Sequence, residues 1–272
     1  MSVMPFKMLP VLLLWIVFAV PAAQAGQVRP DALPPRPFTS VTLGQNVAEF
    51  FFARGDSNFV YGYAGPATSL VVRGDKSRAT LVFGTRAADV AQQRPGQRYL
   101  DLSLLTGDNL YLTRSGDPVQ VSVPLRLHLA YQGLQVDTSP LGPGARRVRG
   151  LHLVHTGVGA GGSVLLQSPP GLPLVGRRGQ VRATWLTTLG GTRDAEQELS
   201  ATRFTRTTDI DLEVRIHRVL GSELGLAAGY TYRAHQWYAG SMSAVRDAFG
   251  GLHAASVDQR ARQHSLRVGL VL

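Results

Sequence analysis

The chain has 272 residues, of which 44% are apolar and 17% are charged, and it contains no cysteine. The absence of cysteine excludes a disulfide scaffold, a thiolate zinc site and a cysteine nucleophile. The apolar share is too high, and the charged share too low, for a disordered chain. The formal net charge of +10 is typical of a protein with anionic partners, and the arginine residues that contribute to it are considered below.

Residues 1–25 have the pattern of a secretory signal peptide. Lys7 precedes the apolar run 9–20, and the segment ends in the Ala-x-Ala sequence of residues 23–25. The run is too short for a membrane-spanning helix, which needs about 20 residues. We therefore expect export by the secretory pathway with cleavage after residue 25. Residues 26–42 are rich in proline, which predicts an extended periplasmic tail without regular structure.

The rest of the chain alternates between apolar and polar residues with a period of two. In Val119–Gln132 the apolar residues occupy one face, while Arg126 and His128 lie on the other. The same alternation returns in 208–217, 223–235 and 265–272. Weaker alternation marks six further segments, namely 43–53, 58–73, 77–86, 98–113, 150–167 and 178–190. The sequence thus predicts about ten strands, within a range of 8–12.

The lengths of the strands and of their connections favour a membrane barrel. Strands in soluble proteins usually have about 5–6 residues, whereas a tilted strand that crosses a membrane needs about 9–11. Tight turns at 74–76, 115–118 and 221–222 tend to alternate with longer links. Those longer links are 87–97, 134–149, 191–202 and 238–262. Short turns on one side and long loops on the other are typical of outer-membrane barrels.

On these features the chain resembles small bacterial outer-membrane β-barrels of the OmpA/OmpX-like type. The resemblance implies an all-β fold, a closed antiparallel up-and-down transmembrane barrel over residues 43–272. It also implies a place in the outer membrane of a Gram-negative-type bacterium. The implied partners are outer-membrane lipid, lipopolysaccharide and the barrel-assembly machinery. The final residue, Leu272, departs from the terminal aromatic that is usual in such proteins.

The alternative is a soluble, secreted or periplasmic β-barrel or sandwich that binds a ligand. The two interpretations place the same side chains on opposite faces. A membrane barrel directs Leu125, Leu212 and Leu226 towards lipid and encloses Arg126 and Asp211. A soluble barrel would enclose the leucines and expose the charges.

A narrow barrel of about ten strands is largely filled by its own side chains, so opposite charges inside it are expected to neutralise one another. The hairpin around Gly221 is predicted to pair His217 with Glu223, which places Arg233 diagonally from Asp209. The side chains expected to form the charge network of the lumen are Arg126, His128, Arg182, Asp209, Asp211, Glu213, Arg215, His217, Arg233 and Arg267.

Aromatic residues near the strand ends are expected to form girdles at the two membrane interfaces. The candidates are Phe59, Tyr61, Tyr63, Trp185, Tyr230, Tyr232, Trp237 and Tyr238.

Arg146, Arg147 and Arg149 cluster in the predicted external loop 134–149. Guanidinium groups bind phosphate in a bidentate manner, so we expect this loop to engage lipopolysaccharide phosphates or another anionic surface ligand. Nucleic acid is not expected as a partner of an exported barrel. His152 and His155 would lie on opposite faces of a strand, so no metal site is expected, and no cofactor is expected either.

The expected function is a structural or adhesive role at the cell surface, or narrow passage of solutes. An outer-membrane hydrolase is the less favoured alternative. Asp209, Asp211, His235 and Ser200 could approach the outer rim, and carboxylates with a histidine can carry acid–base chemistry. However, strand alternation alone produces carboxylates two residues apart, so no catalytic residues are assigned and the protein is not expected to be an enzyme.

Overall fold

The computed structural model describes residues 39–53, 60–114, 117–142, 150–167, 179–195, 203–217, 224–238 and 259–272. The predicted signal peptide, most of the tail, and the loop segment that contains Arg146, Arg147 and Arg149 lie outside these ranges.

The described residues form a closed antiparallel barrel in which each strand pairs with the next and β1 pairs with β10. Closure gives every strand two neighbours, as a sheet in hydrocarbon requires. The strands are β1 (Ser40–Ala53), β2 (Val60–Arg73), β3 (Ser77–Arg86), β4 (Gly96–Tyr111), β5 (Val119–Asp137), β6 (Leu151–Gln167), β7 (Gly179–Asp194), β8 (Arg203–Ile216), β9 (Gly225–Tyr238) and β10 (Gln259–Val271).

The predicted ten-stranded barrel is confirmed, and several strands extend beyond their predicted ends. β1 begins at Ser40 rather than residue 43, and β10 begins at Gln259 rather than residue 265. A 3₁₀ turn at Ser139–Leu141 follows β5. No helix in the described residues combines the length and the hydropathy of a membrane span.

The register of the strands shows that they are strongly inclined to the barrel axis. A walk through directly opposed residues leaves β10 at Val271, passes once round the barrel and returns to β10 at Gln259, twelve residues away. A stagger of this size accompanies the strand tilt of about 35–45° that is usual in closed barrels. Tilted strands of 10 to 19 residues are long enough to cross the hydrocarbon layer.

The outer surface of the barrel is apolar and its interior is polar and charged. Leu125, Leu212 and Leu226 are 43%, 46% and 49% exposed, whereas Asp211 and Arg215 are 1% and 2% exposed. This is the arrangement expected of a membrane barrel, and it excludes the soluble alternative, in which the leucines would be enclosed.

The two ends of the barrel differ in their connections. The start of β1 and the end of β10 lie at the same end as the tight turn at 74–76. We call this the periplasmic end, following the usual orientation of outer-membrane barrels. The connections 54–59, 87–95, 138–150, 195–202 and 239–258 leave from the opposite, outer end.

The outward face of β5 offers a test of the membrane placement. Replacing Leu127, which is 59% exposed at the middle of β5, with arginine should lower the free energy of unfolding by about 2–4 kcal/mol, because a charge there faces hydrocarbon. Gln135→Arg is the matched control, since it lies on the same face near the strand's outer end and should cost about 0–1 kcal/mol. Urea unfolding in phospholipid vesicles measures both. Equal effects of the two variants would contradict the placement.

Candidate functional site in the lumen

Three carboxylates on β8 form the centre of the lumen. Asp209, Asp211 and Glu213 are two residues apart, so strand alternation directs all three inward. They are 4%, 1% and 2% exposed. A buried carboxylate without a partner is costly, so the groups that contact these three decide how the lumen is organised.

Five buried arginines contact these carboxylates and form with them what we call the ionic network. They are Arg73 on β2, Arg78 on β3, Arg215 on β8, Arg233 on β9 and Arg267 on β10. β3 lies opposite β8 in the ring of ten strands. The ionic network therefore crosses the lumen from wall to wall.

Asp211 and Glu213 share their arginine partners. Arg73 donates Nη1 to Glu213 Oε2 at 2.7 Å and directs Nη2 to Asp211. Arg267 Nη2 lies 2.6 Å from Asp211 Oδ1 and 3.4 Å from Glu213 Oε2. The Thr231 hydroxyl adds a hydrogen bond of 2.8 Å to Asp211. Charge-assisted hydrogen bonds of this kind compensate the burial of both carboxylates.

Asp209 has a different pair of arginine partners. It accepts hydrogen bonds from Arg78 Nη2 and from Arg233 Nε, the latter at 3.0 Å. Arg233 also donates Nη1 to the Ser103 hydroxyl at 2.6 Å. Four strands, β3, β4, β8 and β9, thus meet at this one carboxylate and its partners.

Asp101 on β4 is completely buried and is held by neutral donors. Gln132 Nε2 and Gln263 Nε2 lie 2.9 and 2.6 Å from Asp101 Oδ2, and the Tyr99 hydroxyl lies 3.3 Å away. These side chains come from β4, β5 and β10, so they join distant parts of the wall. No motif in the sequence marks any of these side chains as part of a site.

Three histidines occupy one level of the lumen. The ring centroids of His128 and His155 are 4.8 Å apart, and His235 lies 5.9 and 6.1 Å from them. Each Nδ1 faces a threonine hydroxyl, with distances of 3.4, 3.1 and 2.8 Å to Thr188, Thr192 and Thr207 for His128, His155 and His235. No group of three or more potential ligands in the described residues is arranged to hold a metal ion.

Aromatic side chains close the outer end of the lumen. The Trp237 ring lies 5.8 Å from Phe50 and 5.7 Å from Phe52, and Tyr63 stacks on Tyr99 at 5.3 Å. All five residues are buried, and we call this cluster the outer plug. Aromatic contacts of this geometry stabilise packing beyond the area that they bury.

The outer plug corrects the expectation of aromatic girdles. Tyr61, Tyr63 and Trp237 point inward because they share the lumen face of their strands with residues such as Arg73 and Arg233. Trp185 does face outward, with 51% of its surface exposed, and Tyr230 and Tyr232 are half-buried. Phe59 and the side chain of Tyr238 lie outside the described part of the chain.

Of the ten side chains expected to form one charge network, six lie in it and four contact other groups. Arg126 donates to the Asn109 side chain at 2.6 Å and to backbone oxygens. Arg182 contacts Asp75 at 3.3 Å, and His217 Nε2 lies 3.3 Å from Gln180 Oε1. His128 belongs to the histidine level. These four side chains therefore lie outside the ionic network, although Arg182 is directly opposite Glu213 in the β7–β8 register.

The predicted register of the β8–β9 hairpin is wrong by two residues. Arg215 lies opposite Ala227 rather than Gly225, and Asp209 lies opposite Arg233 rather than Thr231. β8 ends at Ile216 and β9 begins at Gly225, so the two strands are farther apart in the chain than the Gly221-Ser222 dipeptide suggests. A slip of two residues keeps every side chain on its predicted face, but it changes the diagonal relation of Asp209 and Arg233 into a direct pair.

Arg73 and Arg78 are network members that the sequence analysis misses. Both lie on the inward face of their strands, on either side of the turn at 74–76. Arg73 follows the apolar Val72, and the alternation of faces along the strand is a signal that could have placed Arg73 inward. No local pattern shows that β2 and β3 face β8 across the lumen.

Below the ionic network the lumen opens at the periplasmic end into a small vestibule with a cavity volume of about 70 Å³. Arg73, Arg78, Arg126 and Arg182 line it, together with hydroxyl groups that include Ser122. The vestibule is the part of the described lumen that an incoming solute could reach first from the periplasm.

The ionic network yields a stability prediction. Asp209→Asn should lower the free energy of unfolding by about 3–5 kcal/mol, because it leaves Arg233 buried without its carboxylate. Adding Arg233→Met should recover part of that loss. Glu49→Gln, an exposed outward carboxylate on β1, is the control and should have little effect. Urea unfolding in vesicles gives the values, and a neutral Asp209→Asn would contradict the assigned role of the network.

No protein-family model and no curated protein sequence matches the chain. Among solved structures, the translocator domain of the autotransporter NalP from Neisseria meningitidis aligns with 11% identity and a TM-score of 0.35, over 96% of this chain and 95% of that chain. The outer membrane protease OmpT from Escherichia coli aligns with 8% identity and a TM-score of 0.29, over 89% and 98%. The toluene transporter TodX from Pseudomonas putida aligns with 12% identity and a TM-score of 0.21, over 87% of this chain and 89% of that chain.

These likenesses are too distant to add to the argument, which rests on the strands themselves. Closure of β1 on β10, an apolar exterior and a buried ionic interior are together the properties of a barrel that lipid surrounds. The chain has the fold of a ten-stranded outer-membrane β-barrel.

Proposed function

We propose that this protein is a closed, non-conducting barrel of the outer membrane that presents its external loops at the cell surface in a structural or adhesive role. The observation that carries the proposal is the filled lumen. The outer plug and the ionic network occupy it at successive heights. The side chains of both levels are buried, and those of the ionic network contact one another across the lumen.

Narrow passage of solutes, the other role that the sequence suggests, has less support. Moving an ion past the network would require Arg73 and Arg78 to leave carboxylates that are themselves buried. Separating a buried ion pair leaves a buried charge without its partner, which costs several kcal/mol. The outer plug would then still separate the lumen from the exterior.

The remaining parts of the proposal follow from the sequence. Residues 1–25 support secretory export, and the barrel-assembly machinery and lipopolysaccharide are the proposed partners during insertion and at the surface. The loops 134–149 and 238–262 are the proposed binding elements, because loops on a rigid barrel commonly carry recognition. The proposal includes no enzymatic activity.

Conductance separates the closed barrel from a conduit. The protein in planar bilayers should show no single-channel steps, and Arg126→Ala and Arg215→Ala should not introduce any, because the outer plug remains in place. A general porin in the same bilayer is the positive control. Steps in the unaltered protein whose size changes in Arg126→Ala would overturn the proposal in favour of a conduit.

The arginine-rich loop can be tested against a comparable set of arginines. Replacing Arg146, Arg147 and Arg149 together with glutamine should weaken binding of the detergent-solubilised protein to vesicles that contain lipopolysaccharide, because phosphate contacts are lost. The control replaces three exposed arginines of another outer connection, Arg86, Arg94 and Arg98. Co-sedimentation measures both.

Equal loss in the two triple variants would indicate that net charge alone drives the binding and would contradict a role for this loop. Heat-modifiable migration in gels reports whether each variant still forms the barrel.

A further inference from the structure

We propose that the periplasmic vestibule is a binding site for a phosphate-type oxyanion. The vestibule lies at the open end of the lumen, outside the plug and below the carboxylates of β8. Four arginine side chains line it, namely Arg73, Arg78, Arg126 and Arg182. Two of them, Arg126 and Arg182, do not belong to the ionic network and contact none of its carboxylates.

The first observation is the surplus of positive charge around the vestibule. In the described residues of this half of the lumen, Asp209, Asp211 and Glu213 are occupied by arginines of the ionic network. Asp75 is the remaining carboxylate on the vestibule wall. On the vestibule wall itself the four guanidinium groups of Arg73, Arg78, Arg126 and Arg182 outnumber the two carboxylates of Asp75 and Asp209.

The second observation is the environment of Arg126. Its guanidinium donates Nη2 to the Asn109 side chain and Nη1 to the backbone oxygens of Asp108 and Leu125. No carboxylate lies within ion-pair distance of it among the described residues. The nearby Asp108 carboxylate is itself paired with Lys76 at 2.8 Å, so the partly buried guanidinium contacts only neutral acceptors, which is unfavourable in a narrow lumen.

The third observation is that Arg182 is only weakly paired. Its one ion pair in the described residues is a single contact of 3.3 Å with Asp75, and both side chains keep access to solvent, at 17% and 26% exposure. The fork of a guanidinium has further donors to offer. Arg182 can therefore bind an anion in the vestibule without leaving Asp75.

Arg215, a buried member of the ionic network, also has hydrogen-bond donors without acceptors. Its Nε contacts Glu213, while Nη1 and Nη2 are buried and have no hydrogen-bond partner in the described residues. Arg215 is adjacent to Arg182 in the sheet, because Arg182 lies opposite Glu213 in the β7–β8 register. An anion near Arg182 would offset the positive potential of both groups.

The neutral lining indicates which anion fits. Ser122, Ser163 and Thr184 place hydroxyl groups on the same wall as Arg126 and Arg182. A tetrahedral oxyanion accepts hydrogen bonds on several oxygens, and it suits both bidentate guanidinium forks and single hydroxyl donors. A monatomic anion cannot use these directions, so the site favours a phosphate group.

The test is a calorimetric titration of inorganic phosphate into the full chain in phosphatidylcholine nanodiscs, with ionic strength held constant by sodium chloride to keep screening equal. Saturable binding is expected. Arg126→Gln and Arg182→Gln should each weaken it about tenfold or more, since each removes a charge-assisted contact. Asp75→Asn should strengthen it, because it releases Arg182 from its carboxylate.

Arg98→Gln is the matched control, because it removes one exposed arginine at the outer end of the barrel, and it should leave phosphate binding unchanged. Arg126→Lys keeps the charge without the fork and should give an intermediate affinity, which covers the case in which the glutamine variant does not fold. Heat-modifiable migration identifies folded variants before titration.

A second arm distinguishes free phosphate from a lipid headgroup. If nanodiscs that also contain phosphatidylglycerol weaken the apparent affinity for inorganic phosphate, lipid headgroups compete for the vestibule. If they do not, the occupant is a soluble periplasmic anion. Both results support the site. The proposal is overturned if the unaltered protein binds no phosphate, or if Arg126→Gln and Arg182→Gln bind it as the unaltered protein does.

Discussion

The backbone amide and carbonyl groups within hydrocarbon must all form hydrogen bonds inside the protein, and the rest of this structure depends on that constraint. A lipid-facing strand cannot give its amide and carbonyl groups to water, so the sheet must close, and here β10 completes it by pairing with β1 along Ser40–Phe51. Closure separates the two faces of every strand absolutely. One face meets lipid and is apolar, and the other is enclosed and must satisfy its own polar groups.

The enclosed face then produces the ionic network. Once Asp209, Asp211 and Glu213 are directed inward along β8, their charges have no access to bulk water. Arginines from both sides and from the opposite wall compensate them, and Arg73 and Arg78 reach across the lumen to do so. The contacts that stabilise the buried charges also place side chains across the lumen, which is the basis of the proposed non-conducting role.

The side chains that fill the lumen change in chemical character from the outer end to the periplasmic end. This change explains why different heights of the lumen have different proposed roles. The outer plug is aromatic, the histidine level is polar, and the ionic network is charged, with five arginines on three carboxylates. The vestibule below it has more cations than anions, with Arg126 at its wall. A barrel that is filled at these heights can still bind a ligand at its open end.

The sequence by itself determined the class of fold, the approximate number of strands and the alternation of lipid-facing and lumen-facing residues along each strand, because all three follow from a period of two that local residues express. Alternation in Val119–Gln132 was sufficient to place Leu127 outward and His128 inward. Strand register and contacts across the lumen were decided only by the tertiary structure. The two-residue error at Asp209 and Arg233 left both on the correct face, and nothing near Arg73 or Tyr63 in the chain indicates that one meets Glu213 and the other Tyr99. The physical reason is that side-chain direction depends on the residue's own strand, whereas a partner in the lumen depends on stagger and closure, which all ten strands set together.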